Sequence, residues 1–164
     1  MDFFETIKGR CSIREFENKT ISDTDLAKII DAARLAPTAR KEEPWEFITV
    51  TDKEKLNELC ALTPNGPFIK SCGACVVVLC KDTRYYLEDG CAAVENILLA
   101  ARALSIGSCW VAGDKKDYCD AVLKMFAVPA GYKLVALLAL GYPKKGFNPL
   151  EKRTLDQVWH KEKF

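Results

Sequence analysis

Residues 10–14 read R-C-S-I-R and carry the side chains that commonly bind phosphate. The guanidinium groups of Arg10 and Arg14 can each donate paired hydrogen bonds to phosphate oxygens, and the hydroxyl of Ser12 adds a further donor. Taken alone, five residues of this kind more often form a solvated basic surface. The segment is therefore a candidate anion-binding site, and the elements around it decide whether it binds an anion or is a solvated surface.

Two other segments place small or polar residues where loops are expected. Residues 37–45 leave a predicted helix through Pro37 and enter a predicted strand at Trp45, which by itself is an ordinary connection. Residues 107–114 are rich in small side chains, which would let backbone N–H groups approach a ligand closely. Alone, this segment is better interpreted as a turn after the preceding helix.

Cys72 and Cys75 form a C-x-x-C pattern, which could be a redox-active dithiol or half of a zinc site. A thioredoxin-type pair follows a strand and opens a helix, whereas this pair precedes an apolar strand. The sequence has no second C-x-x-C, and its one histidine, His160, is distant. We therefore expect buried cysteines here, and no metal site.

The composition indicates a soluble globular protein of one domain. The chain has 164 residues, 49% of them hydrophobic, and its 24 basic and 23 acidic side chains leave a net charge of +1. This balance argues against a nucleic-acid-binding protein, and no apolar run is long enough to span a membrane. We find no signal peptide, and six of the eight cysteines lie in or beside apolar runs, so we expect a cytoplasmic protein.

Hydrophobic periodicity predicts alternating helices and strands. Strands are expected at 45–50, 75–80 and 133–140, and helices at 22–36, after a capping box of Thr51 and Glu54, at 89–104 and at 115–126. The helix at 89–104 is apolar nearly all round, which is typical of the centre of a fold or of an interface. Residues 141–164 cannot build a core, so we expect one domain, 1–164, with 141–164 as an arm lying on another surface.

Four motifs in order resemble the FMN-dependent nitroreductase family over residues 2–164. They are R-x-S-x-R, then P-[ST]-A-x-x-x-x-P-W, then A-x-x-N-x-L-L-A-A-x-x-L-x-I-G-S-C-W from Ala93 to Trp110, and finally L-x-L-G-Y-P from Leu138 to Pro143. The resemblance implies an α+β fold with a central, mostly antiparallel sheet flanked by helices. It also implies a homodimer that exchanges its C-terminal arms and binds FMN at the interface.

The resemblance assigns candidate cofactor-binding residues. The FMN phosphate and ribityl chain would meet the N-terminal motif and basic residues of the arm, and a loop from the other subunit would reach the flavin. Asn65 would lie near the pyrimidine edge, side chains of the 107–114 segment against one ring face, and two backbone N–H groups near N5 and O4. The full set is Arg10, Cys11, Ser12, Arg14, Pro37, Thr38, Ala39, Lys41, Asn65, Trp110, Val111, Ala112, Gly113, Lys152 and Arg153.

This chain departs from the family at three of the positions considered. Members often carry arginine at position 11, asparagine at 41 and glutamine at 43, where this chain has Cys11, Lys41 and Glu43. The loss of one arginine would weaken the phosphate site slightly. Lys41 could favour the anionic reduced flavin through its charge, or it could simply extend into solvent.

The function implied by the resemblance is hydride transfer from NADH or NADPH through flavin N5 to an acceptor such as a nitroaromatic compound or a quinone. The cofactor carries this chemistry, so no catalytic side chain is required. No motif that reads the ribose distinguishes NADH from NADPH. The alternative is a non-catalytic flavin-binding protein or a thiol-redox protein on the same scaffold.

Overall fold

The computed structural model describes residues 2–164. Its elements follow in the order α1 (Phe3–Gly9), α2 (Asp23–Arg34), β1 (Trp45–Val50), α3 (Lys53–Leu62), β2 (Ala74–Lys81), α4 (Tyr86–Ala103), β3 (Gly107–Ala112), α5 (Cys119–Met125) and β4 (Tyr132–Gly141). Short 3-10 turns are formed by Ala39–Lys41, Ile69–Ser71 and Leu155–Gln157.

Four strands form an antiparallel sheet in the order β1-β2-β4-β3. The central strand β2 is buried from Ala74 to Cys80 because helices cover both faces of the sheet. Val76 packs on one face with α2 and α4, and Val77 packs on the other with α3 and α5. This arrangement confirms the expected α+β class with an antiparallel sheet flanked by helices.

Helix α4 lies in the centre of the fold, as its apolar sequence predicts. Ala93, Ile97 and Ala101 are fully buried against the sheet and α2. The side-chain amide of Asn96 donates a 2.8 Å hydrogen bond to the Ala32 carbonyl and so fixes α4 to α2. Within residues 2–164, neither α4 nor any other helix is long and apolar enough to cross a membrane.

The segment at 107–112, expected to be a turn, is the edge strand β3, so that expectation was wrong. The pairing runs from Gly107 opposite Gly141 to Ala112 opposite Ala136. Gly107, Ser108 and Ala112 have little strand propensity, so pairing with β4 must order the segment together with the strand-favouring Trp110 and Val111. This strand matters for function because it lies beside the N-terminal motif and itself carries the predicted ring-binding residues Trp110, Val111 and Ala112.

Three helix starts also differ from the sequence prediction, and one of them is α4, which begins at Tyr86 instead of residue 89. The capping box of Thr51 and Glu54 was wrong: Asp52 caps α3 instead, accepting a 2.9 Å hydrogen bond from the Lys55 N–H. The helix expected at 115–126 begins at Cys119, because Lys115 has φ 60°, a left-handed conformation that cannot start an α-helix.

The C-terminal tail has an attached part and an exposed part. The ring of Phe147 lies 4.0 Å from the guanidinium carbon of Arg102, and Lys145 pairs with Glu15 at 3.0 Å. Residues 148–164 are exposed, including Leu155 and Trp159. The exposed part therefore contributes nothing to this chain's own core, and its exchange with a partner stays a prediction.

Candidate functional site

The chain leaves α1 and runs in an extended conformation beside the edge strand β3. Arg10 ends the helix with φ −69° and ψ 130°. The Ile13 N–H then donates a 2.9 Å hydrogen bond to the Ser108 carbonyl of β3. Because neighbouring side chains of an extended chain point to opposite sides, Ile13 is buried while Ser12 and Arg14 face outward.

Gly107 permits this close approach of the N-terminal segment to β3. A Cβ atom at Gly107 would lie 2.8 Å from Cγ1 of Ile13. Such a contact is too short for any real side chain, so a larger residue would push the segment off the strand. The glycine at the start of β3 therefore helps to place the predicted phosphate-binding residues.

A pocket of about 250 Å³ gathers the predicted phosphate-binding side chains. It is lined by Arg10, Cys11, Ser12, Arg14, Asn148, Leu150 and Lys152. A second pocket of about 240 Å³ shares Cys11, Ser12, Arg14 and Asn148 with the first and extends to Lys145. The structure therefore brings Lys152 to the N-terminal motif. Arg153, although it is the next residue in the chain, is not among the residues that line either pocket.

The first pocket has the donors that a phosphate group requires. Arg10, Arg14 and Lys152 supply positive charge, and Ser12 supplies a hydroxyl. The Nε atom of Arg10 lies 3.6 Å from Oε1 of Glu95 on α4, in an ion pair that is partly exposed to solvent. Three cations around one pocket therefore fit the phosphate of FMN, with Glu95 as a competing partner for Arg10.

The end of β3 presents alternate residues to solvent. The indole of Trp110 is 39% exposed, whereas Val111 is 3% exposed and packs in the core. Only the backbone of Val111 is thus available to a ligand, although the resemblance also implied its side chain. A Cβ at Gly113 would lie 2.8 Å from the carbonyl of Val135, so the absence of a side chain lets this turn pack directly on β4.

The loop after β3 is held in place by two side chains of the segment that follows. The Tyr118 hydroxyl donates to the Ala112 carbonyl, and the Cys119 thiol donates to the Gly113 carbonyl at 2.8 Å. On the other side, Tyr86 of α4 donates a 2.6 Å hydrogen bond to Asp114. These contacts fix the backbone that is predicted to face flavin N5 and O4.

Asn65 lies beside this loop in a wide pocket of about 460 Å³. The lining residues are Leu62, Pro64, Asn65, Lys116, Asp117 and Tyr118. Tyr118 belongs both to this pocket and to the hydrogen bond with Ala112, so Asn65 and the end of β3 border the same region. The contact of Asn65 with the pyrimidine edge of a flavin stays a prediction.

The loop at 37–43 connects α2 to β1 and is bound to the start of α4. Thr38 Oγ1 and the Ala39 N–H both donate 2.9 Å hydrogen bonds to the Asp89 carboxylate. Pro37 and Lys41 are exposed, and Lys41 has φ 58°. Neither Thr38 nor Ala39 lines the pockets around Arg14 or Asn65, and the contact of this loop with the flavin of another subunit stays a prediction.

Several residues of the site lie outside the sequence motifs. Asn148 and Leu150 line the phosphate-type pocket, Glu95 pairs with Arg10, and Asp89 holds the 37–43 loop. Nothing in the sequence singled out Asp89, because Glu88 beside it is equally acidic and lies in the same first turn of α4.

The C-x-x-C cysteines are buried, as the sequence indicated. Cys72 and Cys75 have no exposed surface, and the Cys72 thiol donates to the Ala74 carbonyl at 3.0 Å. Burial raises the pKa of the Cys72 thiol to about 11 and also raises the pKa of Cys75. Neither thiol has the exposure or the lowered pKa of a redox-active pair. Among residues 2–164, no three histidine, cysteine, aspartate or glutamate side chains cluster as metal ligands.

Comparison with known proteins gives consistent matches along the whole chain. The family model described as "Putative TM nitroreductase" matches residues 2–164. A protein from Archaeoglobus fulgidus, named "Putative NADH dehydrogenase/NAD(P)H nitroreductase", is 36% identical over 168 residues that cover 96% of each chain. The chain therefore belongs to this nitroreductase family, which makes it an NAD(P)H-dependent oxidoreductase by class.

Solved structures agree with this placement. A crystal structure of a protein with the same name from Bacteroides thetaiotaomicron superposes with a TM-score of 0.94 and 26% identity, covering 99% of this chain and 98% of that one. An FMN-dependent nitroreductase from Clostridium difficile superposes with a TM-score of 0.87 and 27% identity, covering 98% and 99%. The fold expected from the resemblance is thereby confirmed.

Proposed function

We propose that this protein binds FMN and transfers reducing equivalents from NADH or NADPH to a small-molecule acceptor. The observation that carries the proposal is the convergence of Arg10, Ser12, Arg14 and Lys152 on one pocket in a chain of the nitroreductase family. An FMN-dependent relative that covers nearly the whole chain supports the choice of flavin. When bound, FMN would supply hydride transfer at N5, from NAD(P)H to an acceptor such as a nitroaromatic compound or a quinone.

The N-terminal motif would hold the phosphate end of the cofactor. Arg10, Arg14 and Lys152 would neutralise the phosphate charge, and the Ser12 hydroxyl would donate to a phosphate oxygen or the ribityl chain. Cys11 lines the same pocket without adding charge. We assign Arg153 a weaker role than Lys152, because it lies outside the pocket.

The end of β3 and its turn would hold the ring system. Backbone N–H groups of Ala112 and Gly113 would donate toward N5 and O4, where charge changes during reduction. Trp110 would cover one face of the ring, and the Asn65 amide would contact the pyrimidine edge. Tyr118, Cys119 and Tyr86 fix the turn through hydrogen bonds, so these donors would be held in place before the cofactor arrives.

The assembly we propose is a homodimer of one-domain subunits, 1–164, whose arms at 141–164 pass their own phosphate-type pocket and reach the other subunit with their exposed ends. Phe3, Phe4, Leu155 and Trp159 are each more than half exposed, and such apolar side chains favour burial against a partner. Pro37, Thr38, Ala39 and Lys41 would then reach the flavin of the other subunit. The eight cysteines, all within residues 2–164, form no disulfides, which is typical of a protein in a reducing compartment, and we propose that this compartment is the cytoplasm.

The experiment compares the protein's affinity for FMN with its affinity for riboflavin, which lacks the phosphate and should bind more weakly. We expect purified protein to be yellow and to bind one FMN per chain, and we expect added NADH or NADPH to bleach the flavin absorbance without oxygen. Flavin reoxidation by a panel of nitroaromatic compounds and quinones then identifies the acceptor class. Protein that binds no flavin would overturn the proposal, and protein that binds FMN but is never reduced would favour a non-catalytic flavin-binding protein.

A further inference from the structure

Asp89 is a buried residue whose two carboxylate oxygens both accept hydrogen bonds from one loop. It lies in the first turn of α4 and is 4% exposed. Its Oδ2 accepts the Thr38 hydroxyl and its Oδ1 accepts the Ala39 N–H, each at 2.9 Å. These partners precede Asp89 by 51 and 50 residues, so the contact is tertiary and no helix cap accounts for it.

The loop that Asp89 holds has an unfavourable backbone. Arg40, Lys41 and Glu43 have φ values of 58°, 58° and 44°, which side chains other than glycine rarely adopt. Such conformations persist only where surrounding contacts enforce them, and they are common at ligand-binding positions. The Glu43 N–H donates to the Thr38 hydroxyl at 3.1 Å, so Thr38 closes the loop while Asp89 binds Thr38.

We propose that Asp89 is a positioning residue for flavin binding: it fixes the 37–43 loop in the conformation that meets the cofactor. The inference rests on the proposed function, which places Pro37, Thr38 and Ala39 at the flavin. Asp89 itself lies beneath the loop and would act through Thr38 and Ala39.

A carboxylate suits this role better than an amide. Both partners are donors, and an ionised carboxylate offers acceptors only. An asparagine would accept from the Ala39 N–H and would turn its NH₂ group toward the Thr38 hydroxyl, which would then accept instead of donating and would keep only the longer contact of 3.3 Å to the Ala39 carbonyl for its proton. Asp89→Asn should therefore weaken the contact with Thr38 by forcing its hydroxyl to reorient, and Asp89→Ala should remove both hydrogen bonds.

The test measures loop order and cofactor binding separately. Trypsin cleaves after arginine and lysine, so the rate of cleavage after Arg40 and Lys41 reports how firmly the loop is held. In cofactor-free protein, Asp89→Ala should speed cleavage after Arg40 and Lys41 at least about tenfold, and Asp89→Asn should fall between it and wild type. FMN affinity should fall in the same order. The matched control is Glu88→Gln, which removes a charge from the same helical turn at an exposed position and should match wild type in both measurements.

Each outcome separates the two claims. Cleavage as slow in both Asp89 variants as in wild type would show that Asp89 does not hold the loop. Faster cleavage with unchanged FMN affinity would show a purely structural contact and overturn the positioning role. Wild-type protein that binds no FMN would overturn the proposed function instead, while the cleavage comparison would still report whether Asp89 holds the loop. If Asp89→Ala does not fold, amide hydrogen exchange at 39–43 in Asp89→Asn replaces it, and exchange equal to that of wild type would contradict the proposal.

Discussion

Arg10 lies 3.6 Å from Glu95 across the gap between the end of α1 and the outer face of α4. The pair is partly exposed, and ion pairs of this kind contribute only about 0.2–1 kcal/mol. A phosphate group in the adjacent pocket would offer Arg10 a stronger partner than this carboxylate. Glu95 therefore competes weakly with the phosphate for Arg10, and the guanidinium should leave it when the cofactor binds.

Arg10→Ala should weaken FMN binding at least about tenfold, because it removes a charge-assisted hydrogen bond worth roughly 1.5–3 kcal/mol. Fluorescence titration measures this change, and riboflavin is the ligand control because it has no phosphate for Arg10 to bind. Glu95→Gln, the protein control, should leave FMN binding unchanged or tighten it up to about fivefold. Equal losses for FMN and riboflavin in Arg10→Ala would contradict the phosphate role.

The exposed apolar side chains at both ends of the chain predict an obligate dimer. Phe4 and Leu155 are each 65% exposed and Trp159 is 58% exposed. We expect sedimentation at micromolar concentration to show a dimer whose interface exceeds about 2,000 Å². Leu155→Ala combined with Trp159→Ala should weaken the dimer, whereas Lys163→Ala, also in the arm, should not. A folded wild-type monomer at that concentration would rule out this assembly.

Replacing the buried cysteine pair should leave flavin reduction intact. Cys72→Ser keeps a donor for the Ala74 carbonyl, and Cys75→Ala adds no polar group to the core. We expect the double variant to be less stable, yet to be reduced by NAD(P)H in stopped flow at nearly the wild-type rate. A folded, flavin-loaded double variant that is no longer reduced would favour the thiol-redox alternative.

Tyr86 should make the protein lose stability at alkaline pH. Its hydrogen bond to Asp114, together with burial and the Asp114 charge, raises the pKa of Tyr86 from 10.0 to about 12. Its contribution is complete below pH 10 and is lost between pH 10 and about 12, because the unfolded chain gives up its phenol proton first. Denaturant unfolding across this window should therefore show a smaller loss of stability for Tyr86→Phe than for wild type. Tyr132→Phe, outside this hydrogen bond, is the control, and equal losses in all three proteins would refute the linkage.

The sequence predicts elements well where local pattern and tertiary environment agree. The aromatic and β-branched run at 45–50 is β1 with unchanged bounds, and the apolar run at 75–80 is β2 with one residue added at each end. Strand β3 was missed because Gly107 and Ser108 at its start are typical of a turn, and its pairing partner β4 is distant in sequence.

The same distinction applies to the candidate site. Arg10, Ser12 and Arg14 were recognisable because their chemistry is concentrated in five residues. Asn148 and Leu150 have no such pattern, and only the path of the tail brings them to the pocket. The hydrogen bonds of Asp89 join residues about fifty positions apart, and no local periodicity encodes such a contact.

The most direct test of the account is the affinity of the wild-type protein for FMN relative to riboflavin. Three cations around the phosphate-type pocket should make FMN bind at least about a hundredfold more tightly, given roughly 1.5–3 kcal/mol for each charge-assisted contact. The same titration should saturate at one FMN per chain. Equal affinities for the two flavins, or no binding of either, would contradict the central claim that this pocket holds the phosphate of FMN.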